Sequence, residues 1–488
     1  MKIEKLNISE TLDNAKKLLD EEKQISPALK AMFELLLTII TLITGRLSLT
    51  SRNSSKPPST DLNRQKQKKN NSQNKPGGQP GRKGVNLQPI TEPDKIVPIN
   101  LDQNQLPKGI YCDVGFEARQ VIDLEISRIV TEYRAQILED ALGKKYIAPF
   151  PEGVVRPVQY GQSIKAHAVY LSQFQLLPYE RVADYFSNEI QIPISVGSIF
   201  NFNQDAFERL EDFDTLAKAK LIASLALNSD ETGININGKR KWLHTASNEL
   251  WTYLFPHERR GSEAMDAIGI LPKFKGFLVH DHWKPYYTYT ECLHALCNAH
   301  HLRELQWVID NHNYAWPQKM QDLLIEINEA VKASEVAMLD DKTAGAFRIM
   351  YRDILEKGIL EMPSVINVPP VTVVSKDGKF KKKRGRKKKA KEMNLLERLR
   401  DYENDVLRFM DIDIVPFTNN RGENDIRMTK VQQKISGCFR SMEGAKIFCR
   451  VRSYLLTAQK HGISPTDALK SLFDGKLPEV FYTGKSPF

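Results

Sequence analysis

The sequence predicts a multidomain α/β protein. A mixed-sheet core is interrupted by a helical insertion and preceded by an N-terminal helix, a basic flexible arm and a small β module. Three observations predict this. At 488 residues the chain is too long for one ordinary core. Its texture changes from helical periodicity over residues 157–222 to two-residue alternation from Leu225, then back to helical periodicity after residue 311. Between residues 51 and 92 it becomes rich in Pro, Gly and Ser and almost free of apolar side chains, which cannot bury a core.

Residues 1–50 read as a helix from about residue 9. Leu29, Phe33, Leu36, Ile40, Ile43 and Leu47 alternate spacings of four and three, a heptad seam widened by Leu35, Leu37, Ile39 and Leu42. The seam suits either self-association or packing on its own domain. The arm at 51–92 carries Lys56, Arg64, Lys66, Lys68, Lys69, Lys75, Arg82 and Lys83 against Asp61 as its acid up to Gly84. Contact with DNA phosphates and a merely solubilising tether both fit this pattern. Residues 93–150 read as a small β module, with alternation over Gln120–Arg128 continuing to Gln136. Cys112 stands alone there, short of the four close ligands zinc needs, so no zinc is expected. Residues 151–222 read as helices that either link domains or enter DNA grooves.

From Leu225 the strands begin. Ser224–Leu227 leads to Asp230-Glu231-Thr232-Gly233, Ile234 and Ile236 alternate up to the hairpin dipeptide Asn237-Gly238, and return strands follow at Lys241–Ala246 and Leu250–Phe255. A helix is expected near Gly261–Gly269. Gly276–Asp281 then reads as a short buried strand tipped by an aspartate. This is the order of a ribonuclease-H-like sheet, assigned to residues 223–310. Residues 311–415 read as the helical insertion, with helices at Ala315–Leu339 and Thr343–Leu360 and a basic loop. Lys381, Lys382, Lys383, Arg384, Arg386, Lys387, Lys388 and Lys389 make this loop the most basic segment, either solvated or in contact with a DNA backbone. Residues 416–488 complete the core and add terminal helices.

The chemistry converges on residues 418–430. Thr418-Asn419-Asn420 carries helix-capping residues, and Glu423, Arg427 and Lys430 follow at i, i+4 and i+7 on one face. Asp230 on the first strand and Asp281 at the tip of the fourth can reach one point, and Glu423 arrives on this helix. Three converging carboxylates repel unless divalent cations neutralise them, and all-oxygen donors select Mg²⁺ or Mn²⁺. Two such ions about 4 Å apart serve phosphodiester transfer.

The totals agree with an anionic partner. Net charge is +10 and unevenly placed, favouring nucleic acid over a membrane surface. Five scattered cysteines suggest no disulfide framework and a reducing cytoplasm. No signal peptide is apparent, and the apolar run Ala31–Ile43 is too short to span a bilayer.

Asp230-Glu231-Thr232-Gly233, His280-Asp281-His282-Trp283 with Tyr286, Cys297-Asn298-Ala299-His300 with Arg303-Glu304, and Asn419-Asn420 with Glu423 and Arg427 resemble the successive motifs of the insertion-sequence-sixty-six family of DDE transposases. Ser54–Ser59 and Gly77–Gly84 resemble that family's N-terminal arm, and Pro149–Glu152 its link to the central region. The resemblance implies strand cleavage and transfer at the ends of a mobile element, with double-stranded DNA as partner at element ends and target. A homo-oligomer and accessory transposition proteins also fit. The resemblance puts the catalytic metal ligands at Asp230, Asp281 and Glu423. Lys430, or else Arg427, is expected to hold a phosphate, and Cys297 with His300 to support the active site or to be core residues. The family's paired cysteines after the arm are reduced here to Cys112. A cleavage-only nuclease and a catalytically silent DNA-binding descendant are the competing functions.

Overall fold

The computed structural model describes residues 2–3, 6–22, 25–47, 49–54, 61, 87–102, 106–362, 372–374, 380–382 and 389–483. They form two units. The larger comprises Met1–Arg64, Pro151–Ser187 and Ile192–Phe488, the smaller Gln65–Phe150 and Asn188–Gln191.

In the larger unit the N-terminal segment forms two helices where one was expected, α1 (Ile8–Glu21) and α2 (Pro27–Leu47). The break falls before Pro27, whose ring suits a first helical position and cannot continue a preceding helix. Four helices follow the smaller unit: α3 (Gln162–Val169), continuing in a π turn at Tyr170–Phe174, then α4 (Tyr179–Glu189), α5 (Val196–Arg209) and α6 (Glu211–Ile222). Ser195 caps α5 by accepting from the Ser198 N–H at 3.0 Å.

Five strands make the sheet: β1 (Ala226–Ile236), β2 (Lys239–Ser247), β3 (Thr252–His257), β4 (Phe277–His280) and β5 (Leu293–Leu296). Their order is β3-β2-β1-β4-β5. The first three are antiparallel neighbours, and β4 and β5 run parallel to β1. Asn237 and Gly238 both take positive φ, 48° and 75°, turning β1 into β2 as the dipeptide predicts. Between β3 and β4 lies α7 (Ser262–Ile268).

After β5 come α8 (Asn298–Asn311), α9 (Trp316–Ala333), α10 (Asp341–Glu361), α11 (Lys391–Asp401) and α12 (Glu403–Asp411). The insertion is not a separate body. Val279, Ala295 and Leu296 of the sheet share one buried cluster with Leu305, Trp316, Leu324, Tyr351, Leu396 and Phe409. The basic loop carries a short antiparallel pair, Thr372–Val374 with Phe380–Lys382, rather than loop alone.

Then follow α13 (Asn420–Ser436), α14 (Met442–Lys460), α15 (Pro465–Phe473) and a short helix at Val480–Thr483. A second core joins Ile234, Ile236, Leu243 and Leu254 to Ile426, Phe439, Phe448 and Cys449. The 151–222 helices pack here as well. Arg450 of α14 bonds Asp214 at 2.6 Å and lies over the Phe207 ring, and Arg452 donates to the Phe174 carbonyl at 3.0 Å.

In the smaller unit the expected β module is reduced to one hairpin. Ile137–Glu139 pairs with Lys145–Ile147 around a turn in which Asp140 accepts from the Leu142 and Lys144 N–H groups. The described residues between 93 and 136 contain no strand. Val121, Leu124, Ile129 and Val130 are exposed: alternation without a partner sheet buries nothing. Among the described residues, no helix is long and apolar enough to cross a membrane.

Candidate functional site

Alternation along β1 places Asn228 and Asp230 on one face and Ser229 and Glu231 on the other. Asn419 fixes α13 against this strand. Its Oδ1 accepts from Asn228 Nδ2 at 2.7 Å and its Nδ2 donates to the Ser229 carbonyl at 2.8 Å. The side chain expected to cap the helix therefore docks it instead, and makes no capping bond. Gly422 leaves the room, since a Cβ there would stand 3.2 Å from Asn419 Oδ1. The Asn419 N–H donates to Cys297 Sγ at 3.1 Å, tying the start of α13 to the start of α8. Further along α13, buried Asp425 accepts from Thr252 and from Lys460, each at 2.9 Å.

Asp230 sits among acids. Burial pushes its carboxyl well above the usual carboxylate range, and Glu231, Asp281 and Glu423 push it further. Asp281 is raised by burial, offset by the Trp283 N–H that donates to it at 2.9 Å and by Arg260. The charges of Asp281 and Glu423 thus reach Asp230, although the three carboxylates do not gather within 4.8 Å of one another. Among the described residues no cation forms an ion pair with Asp230, and buried Glu423 Oε1 has no hydrogen-bond partner. Mutually repelling carboxylates and an orphaned buried lone pair leave room for a cation in the charge balance.

His300 Nδ1 and Arg303 approach Glu423 Oε1 at 3.8 and 3.9 Å. Burial lowers His300 to about 4, so its imidazole is neutral near pH 7. Burial likewise raises Cys297 to about 11, so it remains a thiol. One ligating atom each of Cys297, His300 and Glu423 lies within 4.8 Å of the other two. The competing His301 is fully buried and meets Asn298 Oδ1 at 3.1 Å.

The Glu423–Arg427–Lys430 face does not pair internally. Arg427 is exposed and forms no ion pair among the described residues. Lys430 reaches instead to the Gly233 carbonyl on β1. Of the expected DNA contacts, Lys56, Arg64, Lys66, Lys68, Lys69, Lys75, Arg82, Lys83, Lys383, Arg384, Arg386, Lys387 and Lys388 lie outside the described residues. Lys381 and Lys382 fall on the strand Phe380–Lys382, and Lys389 pairs with Glu397 at 2.5 Å.

Three residues given no individual role by the sequence complete the site. Glu231 is buried and accepts from Tyr286 OH at 2.5 Å and from the Arg260 guanidinium at 2.5 and 2.8 Å. Burial keeps the Tyr286 phenol protonated. Glu231 and Tyr286 stand within the motifs quoted above, whereas nothing around Arg260 marks it in sequence.

Comparison with family models gives the class: the chain matches a family of transposases. More closely, it belongs to the Transposase IS66 family, whose model matches residues 157–447, more than half the chain and the whole stretch that holds Asp230, Asp281 and Glu423. A second model, described as a family of unknown function (DUF6444), matches residues 3–88. No curated protein matches the chain.

Proposed function

We propose that the chain cleaves DNA strands at the ends of an insertion sequence and joins them to a target, with Asp230, Asp281 and Glu423 holding Mg²⁺ or Mn²⁺. The observation that carries this reading is the crowding of Asp230 by Glu231, Asp281 and Glu423 in a buried setting without a protein cation of its own. The strand order β3-β2-β1-β4-β5, with three antiparallel strands and two parallel ones, supports a ribonuclease-H-like core. When bound, divalent cations would activate the attacking hydroxyl and stabilise the departing oxygen of a phosphodiester.

The chain's own residues do the positioning. Asn419 holds the Glu423 helix on β1, the Trp283 N–H orients Asp281, and Arg260 with Tyr286 fixes the Glu231 carboxylate beside them. Neutral His300 and Arg303 border Glu423. The basic segments at 51–84 and 379–391 are the proposed contacts with duplex DNA, and Lys430 supplies a charge without base readout.

The test is single-turnover cleavage and strand transfer on a duplex bearing the element's end, with Mg²⁺ or Mn²⁺. Asp281→Ala should abolish cleavage and leave duplex binding nearly intact. Retained cleavage in that variant would remove Asp281 from the site. Cleavage by the wild type without joining would leave a nuclease, and binding with no cleavage a silent descendant.

A further inference from the structure

Beside the acidic cluster lies a groove of about 660 Å³. β1 contributes residues 231–235, β2 contributes Arg240 and Trp242, α13 contributes Lys430, and Arg260 comes from the turn before α7. Its one lining carboxylate, Glu231, is already taken by Arg260 and Tyr286. A cationic channel therefore adjoins a strongly acidic point.

Its cations are held in place. The Trp242 ring carries two guanidiniums, with Arg240 at 4.6 Å and Arg260 at 5.0 Å from its centroid. Arg260 also lies 4.2 Å from the Trp283 centroid, so its orientation is fixed by two rings and a carboxylate. Arg240 is exposed and has no carboxylate partner among the described residues. It rests against β1 because residue 233 is glycine: a Cβ there would stand 2.9 Å from Arg240 Nε. The glycine of Asp230-Glu231-Thr232-Gly233 thus has a steric reason that belongs to the groove. Fixing guanidiniums before a ligand arrives removes part of the rotamer entropy lost on binding. Several aligned cations in a groove open to solvent match an extended chain of phosphates better than a single anion.

We infer that this groove seats the phosphodiester backbone of the DNA strand that leads into the acidic cluster. Arg240 and Arg260 contact its phosphates, Trp242 organises both guanidiniums, and Gly233 is the gap that admits Arg240. The inference rests on the reading of Asp230, Asp281 and Glu423 as the cleavage site, and it names the strand path beside them.

The test uses the full chain and a duplex with a 3′ oligothymidine tail carrying 4-thiothymidine, irradiated in EDTA so that no cleavage occurs. Cross-links should map to the peptide containing Trp242. Arg240→Glu should lower their yield about tenfold and reduce the salt slope of tail binding by about 0.7 for each phosphate it no longer neutralises. Trp242→Leu should act in the same direction, Trp242→Phe should restore most of the yield, and Gly233→Ala should fall between. Circular dichroism melts confirm that each variant is folded. Cross-links confined to other peptides, or an Arg240→Glu variant with unchanged yield and slope, would overturn the inference. The readout needs no catalysis, so the two readings fail separately. Cross-linking at Trp242 without cleavage in Mg²⁺ keeps the groove and removes the reaction; cleavage without a cross-link there does the reverse.

Discussion

His244 lies on β2 opposite Glu231, buried, with its Nε2 3.3 Å from the Arg259 carbonyl. Burial is the main cause that lowers it from the ordinary 6.5 to about 4. Above pH 6.5 the imidazole is neutral in both folded and unfolded chains, and its contribution is complete. As pH falls below 6.5 the unfolded chain takes up a proton that the folded chain refuses until about pH 4. Stability is therefore lost across that window, by an amount on the order of 3 kcal/mol at about 1.4 kcal/mol per unit. His280, His282 and His300 are lowered in the same direction, whereas raised Asp230, Glu231 and Asp281 oppose it. Replacing one histidine isolates its share. In urea unfolding at about pH 7 and about pH 4.5, His244→Gln should lose roughly 2 kcal/mol less than wild type between the two pH values. Equal losses would mean that His244 is not refused its proton in the folded chain. Asn419 shows the limit of reading at this scale. Its type and place suggested a cap, but the partners it serves, Asn228 and Ser229, are about 190 residues away in sequence.

Among the elements, four of the five sheet strands were legible because their cues are local, whereas β5 (Leu293–Leu296) was not read. Asn237-Gly238 and the alternation of Ile234 and Ile236 mark β1 and β2, and the run Phe277–His280 marks β4. Two helices of the insertion were legible too: α10 keeps close to its expected span, α9 stops at Ala333 instead of Leu339, and α11 and α12 were not read. Their attachment to the sheet was not, because it depends on packing between distant segments. Gly358 on α10 shows this: a Cβ there would stand 2.8 Å from both Leu396 Cδ1 and Trp316 Cγ, so α9, α10 and α11 meet only because that position is bare. Trp316 is fully buried and has little room to yield. Gly358→Ala should lower stability by about 1–3 kcal/mol, the usual cost of overpacking, even though alanine favours helix. The same cluster reaches Val279 and Leu296, so the loss should appear in the melting of the whole larger unit. A variant as stable as wild type would show that the three helices can separate freely. The alternation at 120–136 misled for the opposite reason. A two-residue period states which faces a strand would have and says nothing about whether a partner strand exists.

For the whole molecule, the open matter is what covers α2. Leu29, Phe33, Leu36, Ile40 and Ile43, the seam legible in the sequence, are between 41% and 51% exposed. Leu35 and Ile39 beside them are exposed as well. Apolar side chains at alternating four- and three-residue spacing, left uncovered on a helix of 21 residues, are what two copies of a helix bury against each other. Thr38, Thr41 and Thr44 satisfy their hydroxyls on carbonyls of their own helix at 2.6–2.7 Å, so they need no partner and do not oppose burial. A seam this short gives a modest dimer by itself. Pairing through it would also place two copies of the following basic arm side by side, and two linked polyanion-binding segments bind more tightly than one through effective concentration. Self-association and DNA affinity should therefore fall together. Phe33→Glu with Ile40→Glu puts two charges in the seam, far in sequence from Asp230, Asp281 and Glu423. In sedimentation velocity the wild type should run as a dimer or higher species at micromolar concentration, and the double variant as a monomer. Its binding to a mixed-sequence duplex should weaken by about tenfold or more, within the range expected when bivalence is removed. Its helical signal should be retained, since glutamate is a good helix former. A wild type that sediments as a monomer, or a double variant that still associates, would show that the α2 seam is covered by something other than a second copy.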